Sequence, residues 1–516
     1  MTQDAHPGRV AELTIALSLA TDLGTGQPME HGLRTCWLSL AVAQALGLDD
    51  DTQSYVYYVA LLRFVGCTSD ASEIAALAGG DDVAFNAAMA PVLMAQPGEG
   101  LRHFVRHLGE DQPAPSRVGL VTRALADPGL DARSSSGHCE VAARLARRLG
   151  LDDAICDALA HAFERWDGKG HPAGLAGEEV PVAVRIVAAA RDAELFGRAG
   201  WPAAVEVLSR RRGHGYDPAV VDALLHGGGG WLAELSDDPC AQVLDAEPAP
   251  VRTIAPEELD TALSAIADFT DLKSPWFRGH SAGVSRLALA AAEAAGWTPA
   301  DAATVGRAAL VHDVGQVGVP SGVWDRPGPL TAEQWERVRL HPYLSERVLG
   351  RCGSTAPFAA LAGHHHERGD GSGYHRGLSD DHLDVGGRLL AAADAYHAMT
   401  EARPHRPALR PADAAAQLRH EVDAGRFGRA EVDVVLAAAG HTAAWARSGH
   451  PAGLTTREVE VLRLIARGYA NKQVAAELGI ATKTVGHHVE HIYAKAGVTT
   501  RAGATLFAME QGLLSR

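Results

Sequence analysis

Seven residues in the second half of the chain, His280, the adjacent pair His312-Asp313, His341, the adjacent pair His365-His366 and Asp394, bring together five imidazoles and two carboxylates. That donor mixture suits first-row divalent cations, iron or manganese first and zinc after them, and a carboxylate with two oxygens can bridge two ions. Neighbouring residues on a helical turn point about 100° apart, so each adjacent pair is expected to serve two ions rather than crowd one. Two such ions, about 3.5–4 Å apart, activate water and stabilise both the attacking and the leaving oxygen of an in-line attack at phosphorus. Phosphoester hydrolysis is the natural reaction, with Asp313 at its centre. Any single one of the 25 histidines is more often a surface or core residue than a ligand. His364, His375, His382 and His397 lie outside the pattern and are assigned no role.

The surroundings of the seven carry a resemblance. Gly279-His280-Ser281, Leu310 to Pro320 around His312-Asp313, Pro327-Gly328-Pro329-Leu330-Thr331, Arg339-Leu340-His341-Pro342, His365-His366-Glu367-Arg368 through Gly371-Ser372-Gly373-Tyr374, and Arg403-Pro404-His405-Arg406 resemble the HD-GYP branch of the HD metal phosphohydrolases over about 150 residues. The resemblance implies helical bundles that hydrolyse cyclic di-GMP or related cyclic dinucleotides, with the seven residues as metal ligands. Three positions depart from it. Gln316 replaces the lysine that follows His-Asp, a neutral hydrogen-bonding group where a cation would better stabilise a charged phosphorane. His375 replaces the proline of Gly-Tyr-Pro, and Trp276 replaces the acidic residue that some members associate with a third metal. A centre of two divalent ions is therefore expected, one that binds a cyclic dinucleotide and either hydrolyses it or only senses it. Gly369–Gly373 is read as a turn, since no strand precedes it and the phosphate-loop lysine is missing.

Helical periodicity broken by short Gly/Pro stretches predicts an all-α chain whose pattern repeats. Ala60–Gly66 matches Ala309–Gly315, and Glu164–Gly170 matches Glu367–Gly373. His31 to Arg63 and His280 to His312 are both 32 residues; His138 to Phe163 and His341 to His366 are both 25. The first copy carries about 46 extra residues, expected near 68–115. At the ligand positions it has His31, Arg63, Phe64, His138, Ala162, Phe163 and Arg191, so five of seven ligands are gone and two have become cationic. Two readings stay open: a copy kept for packing, or a former metal pocket in which Arg63 and Arg191 hold an anion.

The tail has its own signature. Leu454 to Leu462 opens on a capping threonine, Gly468 stops the first helix, Asn471 begins a second, Leu478-Gly479-Ile480-Ala481 turns, and Thr482 begins a third that runs to Lys495. This resembles the LuxR-type helix-turn-helix domain over its whole length. The third helix would enter the groove of double-stranded DNA, with Lys472, Lys483 and Lys495 on phosphates and Thr484, His487 and His488 nearer the bases, His487 foremost. Gly486 removes a side chain from that face, while Val474, Ala475, Leu478, Val485, Val489 and Ile492 are expected in the core. The resemblance further implies a homodimer joined around Ala502–Gln511.

The expected organisation is two tandem HD-type helical bundles and a four-helix tail: 1–235, a linker at 236–256 that begins in composition at Gly227–Gly230, 257–445, a linker at 446–453, and 454–516. Net charge is −16, yet the tail from Pro451 onward sums to +3, leaving −19 elsewhere. Only the tail has the balance for phosphate backbones. The six cysteines show no CxxC pair, which argues against a zinc ribbon or disulfide framework, and no apolar run reaches 18 residues. A cytoplasmic, membrane-free transcriptional regulator is the leading reading; a cyclic di-GMP phosphodiesterase localised by its DNA-binding tail is the alternative.

Overall fold

The computed structural model describes residues 8–93, 99–109, 112–125, 129–236, 238–440 and 451–514. Their regular elements are helices, apart from one antiparallel pair of two-residue strands, Gly8–Arg9 with Thr253–Ile254, and a few isolated bridges in the loops. The chain forms two compact units, Met1–Ala262 and Leu263–Arg516. No described helix is long and apolar enough to cross a membrane. All six cysteines are free and buried, as packing residues are.

The repeat is visible in the backbone. His31–Ala45 answers to His280–Ala294, Asp50–Leu62 to Pro299–Val311, and Val182–Gly197 to Val385–Thr400, each pair equal in length. Glu30, just before the first of these helices, takes the left-handed conformation (φ 81°) that Gly279 takes before its counterpart (φ 86°). The turn belongs to the fold, because a non-glycine residue there bears about 1–3 kcal/mol of strain. Asp22 accepts the Gly32 N–H, and Asp271 likewise accepts the Ser281 N–H. Glu164 and Glu367 each turn a buried carboxylate onto successive backbone N–H groups, of Ala173, Gly174 and Leu175 in one copy and of Arg376 and Leu378 in the other.

The extra segment of the first copy forms the helices Ala71–Ala78, Asp82–Met89, Glu99–His107 and Ala114–Leu125, so it reaches beyond residue 115. Buried Phe85 and Leu108 give it a small core, joined by Ile74, Leu77, Phe104 and Leu120.

The stretch expected as the first linker is ordered structure. Gly227–Gly230 lies inside the helix Pro218–Ala233, because the glycines make room for indoles. A Cβ at Gly228 would overlap the Trp201 ring, whose Cζ2 lies at 2.8 Å, and one at Gly227 would overlap Trp231. Beyond it, the helix Pro239–Asp245 buries Cys240 and Val243. The buried Glu247 carboxylate then takes Tyr58 Oη at 2.6 Å and Arg9 Nη2 at 2.6 Å. Of the second expected linker only Pro451–Gly453, a short 3-10 turn, lies among the described residues.

Candidate metal centre and DNA-binding face

The second copy places its histidines at helix ends. His312 follows the helix Pro299–Val311, His341 follows Ala332–Arg339, and His365 follows Ala356–His364. The last carbonyls of a helix have no partner within it. Each histidine supplies one: Nδ1 of His312, His341 and His365 donates to the carbonyls of Ala309 (2.8 Å), Val338 (2.6 Å) and Ala362 (2.6 Å). A carbonyl can only accept, so each ring carries a proton on Nδ1 and turns Nε2 toward the cluster.

Those Nε2 atoms converge on Asp313. Its Oδ1 lies 3.2 Å from His341 Nε2 and 3.3 Å from His365 Nε2, while its Oδ2 lies 3.4 Å from His312 Nε2 and 3.8 Å from His280 Nε2. One carboxylate thus faces two groups. His341, His365 and His366 form one; His280, His312 and Asp394 form the other, with His280 Nε2 3.2 Å from Asp394 Oδ1. All seven residues singled out in the sequence are brought together. The expectation that each adjacent pair divides between two ions holds only loosely: His365 and His366, with ring centroids 4.2 Å apart, both sit with His341, since the chain leaves the helix between them. His366 alone of the seven is half-buried rather than buried, and the Tyr374 ring lies over it at 4.8 Å.

The donor set fits metal cations. His312 Nε2 and Asp313 Oδ1 are buried atoms without a hydrogen-bond partner among the described residues, and a cation between them would satisfy both. Burial holds the His312 imidazole down to about 4 and lowers His366 well below its ordinary value, so both are neutral, the ligating form. Burial alone would raise the Asp313 and Asp394 carboxyls, but the imidazoles around them outweigh it and hold both far below the usual carboxylate range.

His280 is supported differently. Its Nδ1 lies 2.8 Å from Glu401 Oε2, and Arg403 Nη2 bonds the same carboxylate at 2.9 Å. Arg403 also donates to the Trp276 carbonyl at 2.7 Å and stacks on Phe277 at 4.6 Å. His397, assigned no role from sequence, lies 3.4 Å from Glu401 Oε1 and edges onto His280. The first copy reaches the same end with the charges exchanged. His31 Nδ1 pairs with Glu194, at the position of His397, and Arg198, at the position of Glu401, bonds Glu194 at 2.7 Å. Gln316 is buried, and its Nε2 has no partner among the described residues.

In the tail, Thr455 Oγ1 accepts the Glu458 N–H at 3.2 Å and Glu458 accepts the Thr455 N–H at 2.7 Å, a capping box that starts the helix Thr456–Ala466. Asn471–Leu478, the left-handed Gly479 and Thr482–Ala496 then form the helix-turn-helix. Val474, Ala475, Val485 and Ile492 are buried; Leu478 and Val489 are only half-buried. Lys472, Lys483, Thr484 and His487 are exposed, and His488 is half-buried. Lys495 is committed elsewhere: its Nζ lies 2.7 Å from Glu458 and 3.2 Å from the Gly453 carbonyl, tying the end of the third helix to the start of the first. Charge and position suggested a phosphate contact; the capping-box carboxylate of Glu458 pairs with the ammonium, while the residue itself stays exposed. Arg457 likewise caps the Leu478 carbonyl at 2.8 Å.

Helical bundles with histidines and aspartates gathered at helix ends define a class, and sequence comparison agrees with it. The HD domain family matches residues 131–220 and 264–430, and the luxR family of bacterial regulatory proteins matches 452–508. The chain belongs to the HD-GYP branch of the HD-domain proteins, with a second copy that keeps the clustered histidines and aspartates, a first that has lost five of the seven, and a LuxR-type domain at its C-terminal end. It is 29% identical over 428 residues to the Vibrio cholerae protein "3'3'-cGAMP-specific phosphodiesterase 3", covering 82% of this chain and 92% of that one. It is 33% identical over 148 residues to the "Cyclic di-GMP phosphodiesterase" of Thermotoga maritima, covering 28% of this chain and 39% of that one. A crystal structure of a cyclic GMP-AMP specific phosphodiesterase from Vibrio cholerae shares the fold, with a TM-score of 0.59 at 24% identity over 85% of this chain and 99% of that one.

Proposed function

We propose that the second copy is a metal-dependent phosphodiesterase for a cyclic dinucleotide, with 3'3'-cGAMP and cyclic di-GMP as the first substrates to try, and that the tail binds double-stranded DNA as a transcriptional regulator. The observation that carries the reading is the Asp313 carboxylate facing His341 and His365 with one oxygen and His280 and His312 with the other. His280, His312 and Asp394 would hold one divalent ion, His341, His365 and His366 the other, with Asp313 between; iron suits the imidazoles and manganese the carboxylates of the set. Such a pair supplies Lewis acidity at phosphorus and offsets the charge gained there. In the reaction, the oxygen of a water bonds to phosphorus and gives up a proton, one P–O bond of the ring breaks, and the leaving oxygen takes a proton to become a hydroxyl. The chain's own part is to fix the imidazoles through the Ala309, Val338 and Ala362 carbonyls, to leave access beside His366 and Tyr374, and to offer Gln316 as a neutral hydrogen-bond donor. We place the protein in the cytoplasm and as a homodimer joined through the helix Arg501–Glu510.

A second reading, a nucleotide sensor that binds without turnover, is favoured by one observation: Gln316 stands where a cation would stabilise the transition state. Purified protein loaded with iron or manganese separates the two. Linear product from either nucleotide supports the hydrolase. Ligand-dependent promoter affinity with no product under any metal supports the sensor instead.

Glu401→Gln removes the charge on the bond that orients His280. Metal affinity is expected to fall about 10–100-fold, as for other partners that orient metal-bound histidines, measured by competition against a chromophoric chelator. Unchanged affinity would remove Glu401 from the site. On DNA, Lys483→Ala is expected to weaken binding evenly across sequences and to reduce the salt slope by about 1. Lys495→Ala should leave that slope alone and lower the melting temperature of the tail, because its partner is Glu458. Equal slope changes for the two variants would return Lys495 to the DNA face.

A further inference from the structure

In the first copy, the position of the metal centre is a pocket rather than a packed core. Asp22, His31, Arg63, Phe64 and Arg191 all line it. Four of these stand at the positions of His280, His312, Asp313 and Asp394, so the fold has kept the hollow and changed its chemistry. The enclosed space is narrow, about 10 Å³, and its mouth opens to solvent, so it admits only a compact group.

Its charge has inverted. Phe64 replaces the bridging carboxylate, and the guanidinium groups of Arg63 and Arg191 lie over its ring at 5.5 and 5.6 Å. Phe163 flanks Arg63 on another side at 5.5 Å. Aromatic faces on this scale hold a guanidinium in place but accept none of its N–H groups. Arg63 as a residue is only partly covered, yet its Nε and Nη1 are buried and have no hydrogen-bond partner among the described residues; Arg191 Nε is in the same condition. Arg191 Nη1 is taken by the Ala90 carbonyl at 2.5 Å and by Asp192 at 2.7 Å, which fixes the side chain.

The nearby carboxylates do not neutralise Arg63. Asp22 turns its oxygens to the Gly32 N–H at 3.2 Å, and burial pushes its carboxyl well above the ordinary value. Glu194 serves His31, Arg34 and Arg198, and Asp192 also serves Arg211 and Tyr216. Burial and the neighbouring Arg191 bring the Arg63 guanidinium down to about 10, so it remains cationic at neutral pH. Buried donors on a charged group left without acceptors are unfavourable unless something accepts from them.

We propose that this pocket is an anion site in which Arg63 and Arg191 hold a compact phosphate-type oxyanion, either free phosphate or the terminal phosphomonoester of a small ligand. Guanidinium pairs match tetrahedral oxyanions in geometry as well as charge. The same two cations repel a divalent metal, so the first copy binds a ligand of opposite sign to that of the second. The site stands independently of the hydrolase reading.

The test uses the full chain and calorimetric titration at fixed ionic strength, with inorganic phosphate and a nucleoside monophosphate as probes, in wild type, Arg63→Met, Arg191→Met and Asp313→Ala. Saturable binding is expected in wild type and in Asp313→Ala, which excludes the metal centre as its source, and at least tenfold weaker binding in each arginine variant. Tighter binding of the monophosphate identifies an esterified ligand; equal binding identifies free phosphate. Arg63→Met should also melt no lower than wild type in phosphate-free buffer, since it removes a buried cation that lacks acceptors, and phosphate should raise the melting temperature of wild type and Asp313→Ala but not of the arginine variants. If Arg63→Met does not fold, Arg191→Met and Arg63→Lys decide by the same titration. Absence of saturable binding to wild type, or binding undiminished in the arginine variants, overturns the proposal and leaves the first copy a packing element.

Discussion

Asp313→Ala is expected to cut cyclic dinucleotide hydrolysis on the order of a thousandfold, about 4 kcal/mol in the barrier, and to take most of the metal with it. Asp313 faces both groups closely: one oxygen is within 3.3 Å of His341 and His365, the other within 3.8 Å of His312 and His280, whereas Asp394 comes no nearer than 3.9 Å to His366 of the other group. Truncation removes a donor from both groups at once, whereas loss of any single imidazole weakens one. Metal analysis by mass spectrometry and product formation by chromatography give the two readouts. Asp313→Asn sharpens the comparison, because it keeps the shape and one oxygen but loses the charge. It should retain more metal than Asp313→Ala and hardly more turnover. If Asp313→Ala turns over within about tenfold of wild type, the two-ion reading of this site is wrong, whatever its metal content.

The sequence was most informative where chemistry depends on residue type and order. His280, His312-Asp313, His341, His365-His366 and Asp394 are spread over more than a hundred positions, yet they converge because all but Asp394, which lies within the helix Val385–Thr400, are anchored to helix ends and the helix lengths are set by apolar periodicity. What surrounds them was less legible. Glu401 lies just past the helix Val385–Thr400, seven residues after Asp394, and nothing local marks it as the partner of His280, which is 121 residues away. The carbonyl partners were partly within reach. A histidine placed at a helix C-terminus has orphan carbonyls behind it, but that inference needs the helix ends first.

Two misreadings share one cause. Gly227–Gly230 has the composition of a linker, and only the indoles of Trp201 and Trp231 explain why four glycines continue a helix. Lys495 has the position of a phosphate contact, and only Glu458, 37 residues earlier, explains why its ammonium is paired within the tail. In each case a long-range partner overrode a sound local tendency. The insertion in the first copy shows the converse: its presence was readable from unequal spacing, but its end was not, because the helix Ala114–Leu125 packs through Leu120 into the insertion's own small core.

The duplicated backbone permits a controlled experiment on what the metal centre requires of the fold. A Cβ at Gly315 would overlap the His341 carbonyl oxygen and lie 2.5 Å from Ser345 N. At the matching Gly66, a Cβ would overlap the His138 carbonyl oxygen and lie 2.6 Å from His138 Cα. Both obstacles are backbone, which cannot rotate away as a side chain can, so the chain itself must shift. Gly315→Ala and Gly66→Ala are each expected to cost about 1–3 kcal/mol or more, the range for overpacking a close-packed interior, measured by denaturant unfolding. The consequences for function should then part. Gly315 is two residues from Asp313, and the backbone it meets carries the ligand His341, so Gly315→Ala must also misplace His341 Nε2 and lose metal and turnover. Gly66 meets His138, whose Nε2 pairs with Asp70 at 2.7 Å and holds no metal in this reading. Gly66→Ala should therefore lower stability and leave the metal content of the second copy intact. Metal loss in both variants would mean that the two copies share one centre rather than the second owning it.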